Sequence, residues 1–323
     1  MRKFTKACFV LSTVFLLLVP VVNAQENVID ENEKNSELIR IDSNLIIEKK
    51  LDGRVLPILN SNNQKLTSDQ QDAILKEMRF TEDEIQSMSP SEKESTALAG
   101  GVKVDSETIL LQYFNASDGK KYLVTDENRD EIEALRQQEA KKLSRKLNKE
   151  IQIQPLSSVK DGIFSARGHV TYQGKSPNAT EFEYRYNDSF DWSSTPQNTI
   201  TDTLAHAWQS HSTSVKSEAV TNTVVLGNNN YKYPSVIPEG VYASYFKFPY
   251  TTRFDSMNGY LVNHVRIPIS EKGHTGKFVA RYAHPWTLVT PGISAGPISI
   301  SYGSFIGDEW YWETTYTING LPV

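Results

Sequence analysis

Residues 163–323 alternate polar and apolar side chains over short segments. Such alternation places one set of side chains on each face of a β-strand. Turn residues interrupt the segments about every ten positions, as at Asn258-Gly259 and Gly307-Asp308. Short strands with frequent turns are typical of a β-sandwich or β-barrel. We therefore predict an antiparallel all-β domain of about eight or nine strands, including residues 181–186, 260–269, 277–282, 298–302 and 310–318.

In the first half of the chain, apolar residues at helical spacing follow sequence signals for helix caps. Each signal is a hydroxyl side chain followed three residues later by Gln or Glu: Thr67 or Ser68 with Gln70 or Gln71, and Thr81 with Glu84. Apolar residues then recur on one helical face. Residues 108–114 and 120–125 predict a β-hairpin. The first half is therefore predicted to be an α+β unit.

Two segments allow alternatives. A charged segment from Asp126 or Asn128 to about Leu147 predicts a long helix, whose narrow apolar stripe suits either packing on one side or full solvation. In residues 202–219, apolar residues recur every three or four positions, and Asp202 could cap a helix. The alternation of threonines in residues 199–203 instead suits a strand. We favour a helix over residues 202–219.

The composition changes sharply near residue 155. Residues 25–155 carry 19 Lys and Arg against 26 Asp and Glu, a net charge of −7, whereas residues 156–323 carry 12 against 13. All five Trp and all six His lie in the second part. Pro, Ser and Gly interrupt the periodicity at the boundary. This break predicts a processing linker at Gln154, Pro155, Leu156 and Ser157.

The chain is thus divided into five parts. We predict a signal peptide at 1–24, an acidic and flexible start with strand segments at 25–65, and an α+β unit resembling a pro-segment at 66–150. A linker at 151–162 precedes an aromatic-rich β domain at 163–323.

The first residues have the layout of an export signal. Three basic residues precede an apolar run, and small residues stand before the predicted cleavage between Ala24 and Gln25. The run is shorter than the roughly 20 residues of a spanning helix. No second long apolar segment follows. We therefore expect a secreted, extracellular protein with no integral membrane segment after signal removal.

Several catalytic chemistries are disfavoured. Cys8, the single cysteine, lies in the signal, so the mature chain lacks thiols for disulfides, metal sites or nucleophiles. Residues 292–296 match the G-x-S-x-G nucleophile elbow, which requires a following helix and a later histidine. Pro297 instead begins another predicted strand, and His284 is the last histidine. We interpret this segment as a glycine-rich turn between strands.

The remaining polar residues form no recognisable catalytic or metal motif. His206 and His211 point in different directions on either a helix or a strand. The carboxylate pairs are interpreted as solvated charges at strand edges: Glu181 with Glu183, Asp188 with Asp191, and Glu309 with Glu313. The acidic balance disfavours nucleic acid. We predict no catalytic residue, metal or cofactor, although a hydrolase with scattered residues stays an alternative.

Aromatic residues give the strongest indication of a contact surface. Trp310, Tyr311 and Trp312 place aromatic groups on both faces of one strand, and Tyr245 lies in another aromatic-rich segment. Exposed aromatic rings suit stacking on sugars or contact with lipid headgroups. We predict these four residues as candidate surface contacts, with burial in the core as the alternative.

The first half also carries a family resemblance. The motif runs from Leu66-Thr67-Ser68-Asp69-Gln70-Gln71 through Phe80-Thr81-Glu82-Asp83-Glu84-Ile85 to Met88 and Gly100-Gly101. Over roughly residues 65–145 it resembles a segment of secreted proteins of Bacillus and its relatives, including the large geobacillin-type bacteriocins. The chain has Arg79 where that pattern has Gly. The resemblance implies no functional residue.

Three functions are therefore considered. The resemblance implies a secreted, bacteriocin-like antibacterial protein whose β-rich effector acts at a target cell envelope, through its membrane or wall glycan. The first alternative is a non-catalytic exoprotein that binds cell wall or carbohydrate. The second is an extracellular hydrolase. The oligomeric state does not follow from the sequence.

Overall fold

The structure is a computed structural model and describes residues 36–58, 65–151, 153, 163–195, 201–249, 254–287 and 292–319. The predicted signal cleavage site and processing linker lie outside these ranges, which therefore leave out Ala24, Gln25, Gln154, Pro155, Leu156 and Ser157.

Four helices lie in the first half of the described chain: α1 (Ser68–Glu77), α2 (Glu82–Ser87), α3 (Pro90–Ala99) and α4 (Arg129–Leu147). The same half contains five strands: β1 (Ser36–Arg40), β2 (Ile46–Lys50), β3 (Val102–Val104), β4 (Ser106–Asn115) and β5 (Lys121–Val124). The predicted α+β character of this half is confirmed.

The second half is built from strands, as predicted. Its described ranges contain twelve, more than the number that the turn spacing indicated: β6 (Phe164–Lys175), β7 (Glu181–Trp192), β8 (Thr201–Trp208), β9 (Thr213–Val225), β10 (Asn228–Lys232), β11 (Ile237–Glu239), β12 (Ala243–Pro249), β13 (Ser256–Pro268), β14 (Thr275–Pro285), β15 (Ile293–Gly296), β16 (Ser299–Tyr302) and β17 (Gly307–Thr317). One 3₁₀ turn, Ile269–Glu271, follows β13.

Two antiparallel sheets form the body of the molecule. The six-stranded sheet has the order β10-β9-β13-β7-β6-β3, and the seven-stranded sheet has the order β11-β12-β8-β14-β17-β4-β5. The side chains between them form aromatic-rich clusters, in which Phe190 and Trp192 of one sheet meet Tyr282 and Trp312 of the other. The predicted sandwich is therefore confirmed.

The sheets do not divide at residues 151–162. Strand β3 pairs with β6, and β4 lies between β17 and β5. The pairing of β4 with β17 runs from Asn115 opposite Gly307 to Ser106 opposite Tyr316. The prediction of two consecutive units is corrected in this respect. The composition changes near residue 155, but both sheets contain strands from before and after that point.

The predicted helix over residues 202–219 is wrong. The segment forms most of β8 and β9, and β8 lies inside the seven-stranded sheet, where both of its faces are buried. Leu204 and Trp208, four residues apart, lie on the same face of β8, because a spacing of four also fits the two-residue period of a strand. Asp202, the expected helix cap, instead accepts hydrogen bonds from Tyr282 and His284 in the core.

The first two helices begin as their sequence predicts. The hydroxyl oxygen of Thr67 accepts a hydrogen bond from the backbone N–H of Gln70, and the Gln70 side chain accepts one from the N–H of Thr67. Thr81 and Glu84 make the same reciprocal pair. These bonds satisfy N–H groups that the first helical turn leaves unpaired.

The long helix α4 packs on one side, which decides between the two alternatives for it. Ile132 and Leu143 enter a cluster with Trp286 at the end of β14. The Arg136 guanidinium binds Asp308 on β17, with Nη2 2.8 Å from Oδ2. The helix is therefore attached to the seven-stranded sheet rather than solvated on all sides.

Helix α3 is attached to the outer face of the six-stranded sheet through buried charges. Glu92 is fully buried, and its Oε2 lies 2.8 Å from Nη2 of Arg167 on β6. Burial opposes the charge on Glu92, but the positive charge of Arg167 lowers its pKa. Burial also lowers the pKa of His169 to about 4, so that the imidazole is neutral near pH 7. Arg185, also fully buried, donates to the Ser95 and Thr96 hydroxyls.

Candidate functional site

The four predicted contact residues lie on two different sides of the seven-stranded sheet. Trp310 and Trp312 are 6% and 0% exposed and lie in the sandwich interior. The indole N–H of Trp312 donates to Asp188 at 2.6 Å. Their prediction as surface contacts is therefore wrong, and the alternative of core burial applies. Tyr245 and Tyr311 are half-buried on the outer face of the sheet.

Tyr245 and Tyr311 are in the same row across the sheet but do not form one surface. Tyr245 is opposite Ala205, Ala205 is opposite Arg281, and Arg281 is opposite Tyr311. Three strand spacings separate the two tyrosines by about 14 Å. A surface hairpin, β15–β16, covers the alanines between them.

This surface hairpin pairs with no other strand in the described ranges. Ile300 is buried on a bed of small side chains that includes Ala207 and Val279. The Tyr302 hydroxyl donates to the carbonyl oxygen of Arg281 at 2.7 Å, which fixes the end of the hairpin to β14. The expected glycine-rich turn at residues 292–296 is corrected, because residues 293–296 form β15.

The outer face beside the surface hairpin carries a tyrosine ledge, formed by Tyr113 and Tyr311 with Leu111 and Leu123. Tyr113 is opposite Glu309, and Tyr311 is opposite Leu111, so the two tyrosines are diagonal neighbours on adjacent strands. Diagonal neighbours have Cβ atoms about 7 Å apart. Leu123, opposite Tyr113 on β5, is 40% exposed. The ledge is therefore a partly exposed apolar surface.

A network of charges fixes the polar side of the tyrosine ledge. Glu309 is 2% exposed and accepts from Lys121 at 2.7 Å and from Arg281 at 2.9 Å. The Lys121 ammonium lies 4.2 Å from the centre of the Tyr113 ring, and the Arg281 guanidinium lies 5.2 Å from that of Tyr311. Glu309 was predicted to be a solvated charge, and this prediction is wrong.

Burial changes the pKa values of two side chains at the ledge, Lys121 and Tyr311. Burial lowers the pKa of Lys121, although the charge of Glu309 acts in the opposite direction. Burial and the neighbouring Glu313 raise the pKa of Tyr311. Its phenol therefore stays protonated and donates to Glu313 at 2.8 Å. The ledge keeps fixed donors and acceptors beside its two aromatic rings.

A buried Asp–His pair lies in the sandwich interior. Oδ2 of Asp188 is 3.2 Å from Nδ1 of His206, and both residues are fully buried. Burial raises the pKa of Asp188 well above its usual range and lowers that of His206 to about 3. The Ser244 hydroxyl donates to Asn263 at 3.0 Å. This pair is closed to solvent, so we interpret it as part of the core.

Sequence analysis missed Tyr113 because it was treated as part of a local hairpin. The hairpin itself is present as β4 and β5. A signal for an outer apolar face was nevertheless visible, since Ile109, Leu111 and Tyr113 alternate along β4. These residues lie next to Tyr311 only because β4 pairs with β17. The paired residues are nearly 200 positions apart, and a single sequence does not reveal such a pairing.

Within the described ranges, no three side chains of His, Cys, Asp or Glu are arranged to hold a metal ion. None of the helices in those ranges combines the length and the apolar content needed to cross a bilayer.

The fold and the site define an antiparallel β-sandwich with α3 on the outer face of the six-stranded sheet and the tyrosine ledge on that of the seven-stranded sheet. No protein-family model matches the chain, and no curated protein matches it.

Solved structures show only weak similarity. The collagen-binding subdomain of the Enterococcus faecalis surface protein ACE is 10% identical over 38% of this chain and 84% of its own, with a TM-score of 0.25. The collagen-binding domain of a Staphylococcus aureus adhesin is 11% identical over 48% of this chain and 97% of its own, with a TM-score of 0.24. The Clostridium perfringens NetB toxin in its membrane-inserted form is 7% identical over 65% and 97%, with a TM-score of 0.25. These similarities are too low to transfer a function.

Proposed function

We propose that the protein is a non-catalytic, secreted binding protein that holds a cell-envelope glycan on the tyrosine ledge. The observation that carries this proposal is the diagonal pair Tyr113 and Tyr311 beside the buried carboxylate of Glu309. A sugar ring has an apolar face, which suits an aromatic ring, and a rim of hydroxyl groups. Lys121 and Arg281 supply donors for that rim, and Glu313 supplies an acceptor.

The first test removes one ring at a time. Tyr113→Ala and Tyr311→Ala are each expected to weaken retention on purified cell-wall glycan about fivefold. Covering about 40 Å² of ring at about 25 cal/mol per Å² stabilises a complex by about 1 kcal/mol, which corresponds to that factor. Binding is measured by sedimentation of the mature chain with insoluble walls.

Tyr233→Ala is the matched control. Tyr233 is 78% exposed and lies outside the ledge, so its removal takes away the same ring without touching the proposed site. Thermal unfolding of all three variants shows whether the fold is retained. Unchanged retention by both ledge variants, or an equal loss with Tyr233→Ala, would contradict the proposal.

A second candidate function is bacteriocin-like antibacterial action, as the resemblance of residues 65–145 implies. The surface hairpin favours it, because residues 282–307 contain no Asp, Glu, Lys or Arg. An uncharged hairpin with apolar and serine positions in alternation suits the headgroup region of a membrane. Because residues 102–124 supply strands to both sheets, we assign this action to the whole mature chain and not to a released fragment.

The membrane candidate has its own test. The mature chain is expected to release dye from vesicles of phosphatidylglycerol and phosphatidylethanolamine and to kill related Gram-positive bacteria. Ser294→Asp, which places a charge on the exposed face of the surface hairpin, should reduce leakage about tenfold because a carboxylate enters the headgroup region poorly. Ser294→Asn on its exposed face is the control. The absence of both leakage and killing would eliminate this candidate.

A further inference from the structure

A cavity of about 620 Å³ lies on the other outer face of the sandwich. It opens where α3 ends, between Leu98 and Ala99 of that helix and the outer face of the six-stranded sheet. The sheet side of the cavity is lined by β7, β9 and β13, through Glu183, Lys216, Glu218, His264 and Arg266. Small-ligand sites are concave and mostly apolar, with a few polar groups that fix the ligand.

The strand register aligns three nitrogen-bearing side chains at this cavity. Arg185 is opposite His264, and His264 is opposite Lys216. Directly opposite residues have Cβ atoms about 5 Å apart and point to the same face. A β-bulge follows, and Val215 within it is 50% exposed and lines the cavity. Lys216 and His264 therefore lie side by side on the floor, and Arg185 is buried next to His264 in the same row.

Two cations beside the cavity share one carboxylate. Arg266 pairs with Glu183 at 2.8 Å. Lys216 lies 3.1 Å from Glu218, and Arg185 lies 3.6 Å from the same carboxylate. Glu218 is therefore the partner of two cations, and a ligand monoanion beside Lys216 would supply a second partner.

Two buried nitrogens at the row have no hydrogen-bond partner within the described part of the chain. They are Nε2 of His264 and Nε of Arg185. Burial and then the charge of Arg185 lower the pKa of His264 to about 4, so its ring is neutral near pH 7 and has one N–H to donate. Buried donors without an acceptor are unfavourable, and a ligand oxygen would relieve this cost.

The opposite wall of the cavity is apolar. Pro57, Leu98 and Ala99 line it, and Val215 adds an apolar side chain on the sheet side. A ligand that fits both walls has an anionic end and an apolar body. A dianion such as phosphate suits the site less well, because Glu183 and Glu218 would repel its second charge.

We propose that this cavity binds a small monocarboxylate with an apolar body. Lys216 and His264 contact the carboxylate, Arg185 supplies the buried positive charge behind them, and the apolar body packs against Leu98 and Val215. This binding is independent of the tyrosine ledge, which lies on the other sheet.

The test uses hexanoate and the isosteric neutral hexanamide, titrated into the mature chain and followed calorimetrically. Hexanoate is expected to bind with a dissociation constant below about 1 mM, and hexanamide at least tenfold more weakly. Lys216→Met and His264→Leu are each expected to weaken hexanoate binding by a factor of five or more. Lys247→Met, on the outer face of the seven-stranded sheet, is the control and should leave binding unchanged.

Each outcome is decisive. Failure of hexanoate to bind overturns the proposal, and equal binding of hexanamide overturns the role of the carboxylate. An equal effect of Lys247→Met would show that only overall charge matters. Wall-glycan retention by Lys216→Met is expected to be normal, so failure here and failure of the ledge proposal are distinguishable.

Discussion

Residues 157–323 expressed alone are expected to show no cooperative unfolding transition. Without the first half, β17 loses its neighbour β4 and becomes an open edge, and β6 loses β3. Arg167 loses the carboxylate of Glu92, and Asp308 loses the guanidinium of Arg136. Each large apolar side chain that the first half covers, such as Trp286 under α4, also loses roughly 2–3 kcal/mol of burial, and a domain has only about 5–15 kcal/mol in total.

Urea denaturation followed by near-ultraviolet circular dichroism measures this directly. The chain from residue 25 to 323 is the control and should unfold in one transition. Supplying residues 25–156 as a separate polypeptide during refolding should restore part of that transition. A soluble 157–323 fragment with a sharp transition of its own would contradict the shared-sheet architecture.

Arg167→Met is expected to destabilise the mature chain by about 3–5 kcal/mol, which lowers the melting temperature by roughly 6–15 °C. The substitution retains the aliphatic volume but leaves Glu92 as an unpaired carboxylate that is fully buried. His169, with Nδ1 3.7 Å from Glu92, is neutral near pH 7 and does not replace the missing cation.

A double substitution separates charge from packing. Arg167→Met with Glu92→Gln removes both charges, so it should recover part of the lost melting temperature relative to Arg167→Met alone. Lys76→Met is a surface control, because Lys76 and its partner Glu82 are both more than half exposed, and it should change stability by less than about 1 kcal/mol. If Arg167→Met melted within about 2 °C of the parent chain, the buried ion pair would not hold α3 to the sheet.

Local signals in the sequence were sufficient for local structure. Thr67 and Thr81 begin helices because their hydroxyl groups pair with the N–H three residues on, and this depends on neighbours alone. The hairpin of β4 and β5 follows from alternation and a turn within 20 residues. Both predictions rest on interactions that a short window of sequence contains.

The predictions that failed depend on distant contacts. Residues 202–219 have apolar spacing that fits a helix, yet β8 is buried between β12 and β14, so apolar side chains occur on both of its faces. Trp310 and Trp312 point inward because the six-stranded sheet covers that side of β17. The partner strand that decides each case lies far away in the sequence.

The candidate site was predictable only in part. Aromatic enrichment in the second half predicts Tyr311 as a surface contact; the residue is half-buried on the outer face, and its contact role stays a prediction. Tyr113 lies outside that half, and the sequence alone suggests that Glu309 is a solvated charge. The ledge exists because β4 crosses from the first half into the seven-stranded sheet, and no composition bias marks that crossing.

The pairing of β4 with β17 also sets the order of folding events. One edge of β4 pairs locally with β5, but the other edge stays unpaired until residues 307–316 are available. Closing a loop of nearly 200 residues makes this step of folding slow. A polypeptide that finishes folding late stays unfolded for longer, and an unfolded chain can pass through a narrow channel. The same delay leaves strand edges unpaired, and these edges can aggregate unless a chaperone covers them.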